Sequence, residues 1–572
     1  MRKILNIFNC HSWSFLCLLA VSLILTSACK DDEEAVLKPG EGKVVFQISR
    51  KNLYSISSLS EIVAVKPVLL CGEETIELPS LSLEGDDDVI QSVPYTLKAG
   101  MYMVKSYKAA DKDGNWIADL ILEDENTFEV KEGSEPAYFN VPAGIRVTLS
   151  SVFLKNTLLG ICNEIWPNNK AAWPWKEEDD FEDWTNMEWE VDDDGNLSYI
   201  AGFYMDKTFY DMETLPEPIC NLPMLNGITV IGDSIDQTTG EKLKNKLKYL
   251  PKKLIKTNIK TLTFINCEIE EFPEFLTECK LNELSFINCN IKSIPESISK
   301  MEDLYVLSLK GNQITSVPAS IGKMKNLSSL DLSDNPIESL PDGVFDGCTA
   351  LQCIVLSNTN ISSLPSLPAI SEPAYDLGDI IGRGLFLEGC KFTSIPASAL
   401  ECPAVRTLYM KDNQITSVNL TEEQMKNIDQ LFLDGNKITS LNISSPKLMC
   451  LSLSNCGLTV MPENVKADAL HIMNLKDNKI TAVPDNYFAK YPVLTQADLG
   501  GNQLTSLPAE TGFNTEALNY LGLTNLPQLT WTIPSTWQNV ILHTDNGNIG
   551  ETVNYPIHYI NIYSAGSPKV NK

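Results

Sequence analysis

One motif recurs along the middle of the chain: L-x-x-L-x-L-x-x-N-x-I, found in twelve variants between Ile259 and Leu529. Residues 304–314, 327–337, 428–438 and 470–480 are clear copies. Units of about 20–30 residues are too short to bury a core alone, so each must stack on its neighbours. The pattern predicts an elongated solenoid, whose extended curved surface suits binding better than an enclosed catalytic pocket.

These units resemble the leucine-rich repeat (LRR), and the resemblance covers about residues 197–529, with two degenerate repeats before Ile259. It implies an α/β repeat fold in which the L-x-L segments form a parallel sheet on the concave face. It also implies a non-catalytic binding protein that needs no cofactor. Pairs such as Val317-Pro318 would turn the chain onto the convex side, because proline lacks the N–H that a continuing strand needs.

The Asn of each repeat is expected to point inward, where its amide can donate to and accept from the backbone of adjacent turns. Five repeats carry cysteine or threonine instead, each with a single donor, and Leu526 has none and marks the terminal repeat. We therefore interpret these residues as structural and the cysteines as buried thiols. The ladder consists of Cys267, Cys289, Asn312, Asn335, Thr359, Cys390, Asn413, Asn436, Cys456, Asn478, Asn502 and Leu526.

The x of each L-x-L should face the concave surface, where a ligand would bind. Three consecutive repeats carry aromatic residues at this position, and strand spacing of about 4.8 Å would stack them into one exposed column. We expect this column to be a contact surface; the alternative is that stacked rings only stabilise the sheet. The candidate ligand-binding residues are Phe386, Tyr409 and Phe432, the adjacent Glu388, Lys411 and Asp434, and Asp331.

An insertion interrupts the repeat pattern beside this column. Thr359 and Cys390 are 31 positions apart, whereas the neighbouring ladder positions are separated by 20–24. The extra segment, about residues 366–384, includes Tyr375, Asp376 and Asp379. Insertions in solenoids become surface loops, so a loop beside the binding face is predicted.

The first 41 residues have the pattern of an export signal and tether. Arg2 and Lys3 precede an apolar run that ends in L-T-S-A-C at Cys29, followed by K-D-D-E-E. This resembles the lipobox and acidic export signal of Bacteroidota surface lipoproteins. The resemblance implies a signal peptide at 1–28, lipidation at Cys29, a tether at 29–41, and outer-membrane localisation with membrane contact through the lipid anchor only. The alternative is an ordinary signal peptide cleaved after Ala28.

Residues 42–149 alternate apolar and polar side chains in short runs, which predicts a small all-β sandwich. Residues 97–104 resemble the tyrosine-corner segment of immunoglobulin-like domains, with Tyr102 as the tyrosine. The sandwich is expected to be a spacer, and ligand binding by it is the alternative. Asp113-Gly114 predicts a hairpin turn within it.

Caps are expected at both ends of the solenoid. Residues 150–196 resemble the N-terminal cap of plant-receptor-type LRR proteins, although their five tryptophans also fit a carbohydrate site; a Cys162–Cys220 disulfide would belong to this cap. Residues 530–572 are expected to form the C-terminal cap. In the first cap, residues 192–196 read D-D-D-G-N and favour a hairpin turn over a Ca²⁺ loop.

Charge and motifs restrict the function further. A net charge of −29 argues against a nucleic-acid partner. Eight lysines in residues 242–260, with Leu243, Leu247, Leu250 and Leu254 at helical spacing, predict an amphipathic helix. No zinc or nucleotide motif occurs, and His471, His543 and His558 accompany no nucleophile motif. The sequence predicts a non-catalytic surface recognition protein that binds a protein or other macromolecular ligand on the concave face; the alternatives are a glycan-binding accessory lipoprotein of a nutrient-uptake system or an envelope scaffold.

Overall fold

A computed structural model describes most of the chain from Pro39 onwards. The described residues are 39–49, 64–71, 74–82, 89–110, 116–122, 127–140, 145–149, 187–191, 197–205, 212–222, 225–232, 234–235, 242–243, 245–368, 383–508, 511–514, 516–530, 541–544 and 547–549. Cys29, the signal peptide, the Asp113-Gly114 turn, most of the first cap and most of the C-terminal cap lie outside them.

The predicted small β-sandwich is confirmed as two sheets. Its strands are β1 (Glu41–Ser49), β2 (Ala64–Cys71), β3 (Glu74–Glu77), β4 (Leu81–Ser82), β5 (Val89–Gln91), β6 (Tyr95–Lys98), β7 (Gly100–Ala110), β8 (Trp116–Leu122), β9 (Thr127–Val130), β10 (Gly133–Asn140) and β11 (Ile145–Leu149). One sheet has the order β10-β1-β5 with β6 beside β1, and the other has the order β11-β8-β7-β2-β3. Phe46 of the first sheet packs edge-on against Tyr107 and Phe128 of the second, so aromatic rings fill the interface.

The solenoid is built on a third, larger sheet, which has seventeen strands among the described residues. The remaining strands of the chain are β12 (Met187–Val191), β13 (Leu197–Met205), β14 (Gly227–Ile231), β15 (Ser234–Ile235), β16 (Lys242–Leu243), β17 (Thr261–Ile265), β18 (Glu283–Ile287), β19 (Val306–Ser308), β20 (Ser329–Asp331), β21 (Cys353–Val355), β22 (Arg383–Phe386), β23 (Val405–Tyr409), β24 (Ser417–Leu420), β25 (Gln430–Phe432), β26 (Ser440–Ser444), β27 (Cys450–Ser452), β28 (Val465–Lys466), β29 (Ile472–Asn474), β30 (Gln496–Asp498), β31 (Tyr520–Gly522), β32 (Ile541–Thr544) and β33 (Gly547–Ile549). From β13 to β32 the neighbours are parallel, which confirms the predicted LRR solenoid.

Both ends of this sheet are closed by an antiparallel pair. The strand β12, which contains Trp189, pairs with β13, and β33 pairs with β32. An unpaired parallel edge would present a row of N–H and C=O groups to other chains. The hairpins cover the first and last parallel strands.

Proline decides the convex side of most turns. The 3-10 helices Glu217–Asn221, Lys252–Lys256, Glu274–Glu278, Glu296–Lys300 and Ala319–Lys323 each begin directly after a proline, as does the short α-helix Ala397–Glu401. A further 3-10 helix spans Tyr487–Lys490. Asparagine replaces that proline at Asn419 and Asn442, and there the convex segments are the strands β24 and β26. β28, which follows Pro462, pairs with β26 as the third strand of this separate parallel sheet.

The prediction of an amphipathic helix over residues 242–260 is wrong. The segment contains β16, an extended stretch and the 3-10 helix that follows Pro251. Leu247, Leu250 and Leu254 are buried, as an amphipathic pattern requires, but extended backbone and a 3-10 helix, not an α-helix, place them in the core. Pro251 interrupts the segment because it cannot donate within a helix.

The inward Asn ladder is confirmed. Asn436 is 0% exposed, and its Nδ2 donates to the carbonyls of Met410 and Leu433, both at 2.8 Å, while its Oδ1 accepts from the Ile415 N–H at 3.0 Å. The Cys456 thiol reaches the Leu433 carbonyl at 3.2 Å, so cysteine keeps one of these bonds. Asn245 extends the ladder by one turn into a degenerate repeat. It is fully buried, and its backbone forms an isolated parallel β-bridge with that of Cys267.

A second position recurs with equal regularity and was not anticipated from the sequence. The residue before each of the twelve ladder positions is Gly, Asn or Asp, and its φ lies between 52° and 74°. These are the residue types that tolerate the left-handed region. The positions are Asn266, Asn288, Gly311, Asp334, Asn358, Gly389, Asp412, Gly435, Asn455, Asp477, Gly501 and Asn525.

Candidate functional site

The concave x positions form one continuous column. Asp331 is paired with Val355, Val355 with Phe386, Phe386 with Tyr409, and Tyr409 with Phe432 across β20, β21, β22, β23 and β25. The residue before each x position points to the opposite face, into the solenoid core, and is fully buried; these residues are Leu330, Ile354, Leu385, Leu408 and Leu431. The prediction that Phe386, Tyr409 and Phe432 are neighbours in one column is therefore confirmed.

The three rings stack as expected but are not exposed. Ring centroids lie 4.5 Å apart for Phe386 and Tyr409 and 4.3 Å for Tyr409 and Phe432, with interplanar angles of 16° and 3°. Their exposed fractions are only 9%, 6% and 5%, so the expectation of an exposed column is wrong. Stacking at this spacing covers both faces of Tyr409, and only ring edges remain for a ligand.

These rings belong to an apolar cluster that is separate from the solenoid core. We call it the concave cluster; it consists of Cys353, Val355, Phe386, Tyr409, Phe432 and Cys450, with Ile472 packed against it. All lie on strands of the concave sheet, on the side away from the core. Burial raises the pKa of the Cys353 and Cys450 thiols to about 12, so both stay protonated at neutral pH.

A row of charged side chains borders the concave cluster. Lys411 Nζ lies 3.4 Å from Asp434 Oδ2 and 5.4 Å from the centroid of the Phe432 ring. Asp434 also accepts hydrogen bonds from the Ser452 hydroxyl and from the Ser454 N–H. Glu388 accepts a hydrogen bond from the Ser357 hydroxyl at 3.4 Å, and the charge of Lys411 lowers its pKa. The three charged residues predicted from the sequence are thus adjacent, half-buried and differently paired.

Asp331 lies at the other border of the concave cluster. Its Oδ1 accepts from the N–H and the hydroxyl of Ser333 at 2.9 and 2.6 Å. Burial raises the pKa of Asp331 despite these hydrogen bonds, and it raises the pKa of Glu388 for the same reason. The charged form of each carboxyl group is therefore less well stabilised in the folded protein than it would be in water.

Replacing Asp331 by Asn is expected to raise the melting temperature at pH 7. A raised pKa means that folding favours the protonated carboxyl of Asp331. Its contribution to the stability of the fold is therefore fully present below the ordinary pKa of 3.8, and it is lost as pH rises through the pKa of the folded state. Thermal denaturation of the wild type and Asp331→Asn from pH 3 to 8 should show a difference that vanishes at low pH. A variant less stable at every pH would contradict this account.

Polar side chains at the amino-terminal ends of the concave strands were not predicted from the sequence. Arg406, the second residue of β23, and Asp429, directly before β25, form an ion pair. Asp429 is buried, and Arg406 Nε lies 2.6 Å from Asp429 Oδ2. Gln352 occupies the equivalent place before β21, and its buried Oε1 has no hydrogen-bond partner among the residues that the structure describes. Their only sequence signal is the spacing to the next buried leucine.

Several predicted features lie outside the described residues. These are Cys162, four of the five tryptophans of the first cap, residues 192–196, His558, and Tyr375, Asp376 and Asp379 of the insertion. Cys220 is buried, and its disulfide with Cys162 stays a prediction. Within the described ranges, no group of three or more His, Cys, Asp or Glu side chains could hold a metal ion. In the same ranges, no helix has the length and hydropathy needed to cross a membrane.

Comparison with known proteins agrees with the repeat architecture. The family model described as leucine rich repeat matches residues 279–337 and 325–367. A search of curated protein sequences returns no match. Among solved structures, an LRR protein of Leptospira interrogans is 22% identical, with 56% of this chain and 93% of that one covered and a TM-score of 0.39.

Two further solved structures have a similar level of likeness. An LRR protein from Bacteroides thetaiotaomicron is 14% identical, with 88% of this chain and 86% of that one covered and a TM-score of 0.39. TLR13 in complex with ssRNA13 is 19% identical, with 60% and 63% covered and a TM-score of 0.42.

Proposed function

We propose that this chain is a non-catalytic recognition protein, anchored at the outer surface of the cell through lipidated Cys29, that binds a macromolecule on its concave face. The ligand we favour is a protein, because LRR solenoids generally serve protein recognition. The β-sandwich would be a spacer of the immunoglobulin-like kind. Its Tyr102 hydroxyl donates to the Lys98 carbonyl at 2.9 Å, as a tyrosine corner does.

One observation carries the site: an apolar cluster lies on the solvent side of the concave sheet, bordered by half-buried charges. Most other x positions of the column are small or polar, such as Ser285, Ser308 and Ser452. In interfaces, apolar anchors surrounded by charged groups combine contact area with orientation. The rings would supply edge contacts and rigidity, while Glu388, Lys411 and Asp434 would provide most of the exposed contact.

The sharpest test changes a charge rather than a ring. Since the rings are at least 91% covered, alanine replacements would leave cavities and destabilise the sheet whatever their role. Lys411→Met keeps an apolar stem near Phe432 but removes the charge. Lys426→Met is the matched control, because Lys426 also pairs with a carboxylate, Glu423, but on an exposed turn.

We expect Lys411→Met to weaken binding of a captured surface protein by about tenfold and Lys426→Met to leave it within about twofold. The mature chain from Lys30 would be immobilised, incubated with solubilised surface proteins, and each captured protein titrated against the wild type and both variants. Melting temperatures check the fold of each variant. If every captured protein bound Lys411→Met as tightly as the wild type, the concave site would be wrong.

The glycan-binding alternative depends on the tryptophan-rich segment of the first cap, four of whose tryptophans lie outside the described residues. It stays a prediction, and so does the scaffold alternative.

A further inference from the structure

The charges of the concave face are unbalanced near the concave cluster. From β19 to β25, the carboxyl-terminal ends of the concave strands, counted from the x position to three residues beyond it, carry two lysines, Lys310 and Lys411, against five carboxylates, Asp331, Asp334, Glu388, Asp412 and Asp434. Each lysine has an aspartate within ion-pair distance: Lys310 lies 3.6 Å from Asp334, and Lys411 lies 3.4 Å from Asp434. Three carboxylates are left over, so this part of the face has a net charge of −3.

Two of the remaining carboxylates, Asp331 and Glu388, are both close to the concave cluster. Asp331 is the register neighbour of Val355, and Glu388 follows Phe386 by two positions. Their hydrogen bonds come from neutral donors on Ser333 and Ser357, and no ion pair joins either carboxylate to a lysine or arginine of the described chain. Lys310 and Lys411 lower the pKa of Asp331 and Glu388 from beyond ion-pair distance, but burial outweighs this attraction and raises the pKa of each, so both carboxylates are incompletely compensated.

We infer that the concave face recognises a cationic protein segment, whose lysine or arginine side chain lies between Asp331 and Glu388 with its aliphatic stem on the edge of Val355 and Phe386. This rests on the proposed function and names the chemistry of the partner. A guanidinium or ammonium group would supply the charge that Ser333 and Ser357 lack. Its apolar stem matches the apolar cluster between the two carboxylates.

The experiment must separate local recognition from attraction by the whole chain, which has a net charge of −29. Three fluorescent peptides serve as probes: nine residues each, built from three repeats of Gly-Tyr-Arg, Gly-Tyr-Ser or Gly-Tyr-Glu. Binding to the mature chain is measured by anisotropy in about 0.15 M salt, where distant charges are screened. The variant Asp331→Asn/Glu388→Gln removes both carboxylates while retaining hydrogen-bonding groups.

The matched control is Glu274→Gln/Glu296→Gln, which removes two carboxylates from exposed convex 3-10 helices; Glu274 also accepts from a serine hydroxyl, that of Ser297. We expect the arginine peptide to bind the wild type about tenfold tighter than the serine peptide, and this preference to fall below about threefold only in Asp331→Asn/Glu388→Gln. A preference that survives there, or that falls equally in the control, would overturn the inference.

The experiments distinguish failure of the proposed concave binding site from failure of the inference about a cationic segment. If the serine or glutamate peptide binds most tightly and loses affinity in Lys411→Met, the concave site stands and the cationic ligand is wrong. If a protein captured on the mature chain depends on Lys411 but contacts the face with an acidic segment, the same conclusion follows. If neither the peptides nor any captured protein respond to a concave substitution, both proposals are wrong.

Discussion

Asn436→Ala is expected to lower the free energy of unfolding of the solenoid by about 3–5 kcal/mol, the largest effect of any single ladder substitution that we predict. The side chain is completely buried and bonds one N–H and one carbonyl of the preceding turn and one carbonyl of its own turn. Alanine would leave the Ile415 N–H without this acceptor, whereas the Met410 and Leu433 carbonyls would each lose one donor but keep the Asn413 amide and the Cys456 thiol. The unsatisfied N–H contributes about 1–3 kcal/mol to the loss, and each lost bond to a carbonyl about 1 kcal/mol.

The chain supplies its own control for this prediction. Cysteine occupies the ladder at Cys456, where its thiol still reaches the carbonyl of Leu433 at 3.2 Å. Asn436→Cys should therefore lie between the wild type and Asn436→Ala in urea denaturation followed by circular dichroism. Equal midpoints for the alanine and cysteine variants would show that volume, not hydrogen bonding, decides this position.

Gly311→Ala is expected to lower the free energy of unfolding by about 3 kcal/mol. The φ of Gly311 is 69°, a region that disfavours a side chain by about 1–2 kcal/mol. A Cβ built at this position would lie 1.8 Å from Asn288 Oδ1, so the side chain of the preceding turn would also have to move. The substitution thus combines backbone strain with a steric conflict between adjacent repeats.

Gly457→Ala separates these two effects. The φ of Gly457 is 75°, close to that of Gly311, but a Cβ there meets no atom within 4 Å. We expect a loss of only about 1 kcal/mol, from strain alone. If thermal denaturation gave equal losses for Gly311→Ala and Gly457→Ala, the contact with Asn288 would contribute nothing.

The repeat geometry could be predicted because it depends on local periodicity. Leucines at L-x-L alternate sides of a strand, so the pattern alone places Leu385, Leu408 and Leu431 in the core and Phe386, Tyr409 and Phe432 in one column. Register between turns follows, since a shift of one residue would expose every leucine. The twelve left-handed positions could also have been read from the sequence, because every one is Gly, Asn or Asp.

Periodicity could not decide what each side chain contacts. The Lys-rich segment has helical spacing of leucines, yet Pro251 and the stacked turns divide it among other elements. The convex side carries 3-10 helices in some turns and the sheet of β24, β26 and β28 in others, and Pro462 precedes β28, so the proline position alone does not decide which element forms.

The repeated leucines, the inward asparagines and the order of the concave column follow from the sequence by itself, because each depends on residues within one or two turns. The tertiary structure decided that the aromatic rings are covered rather than exposed, because only stacking across adjacent strands brings ring faces within 4.5 Å. It also decided which carboxylates have a lysine beside them: Asp334 and Asp434 do, whereas Asp331 and Glu388 have serines. Those pairings join residues about twenty or more positions apart or depend on side-chain direction, and no local pattern specifies them.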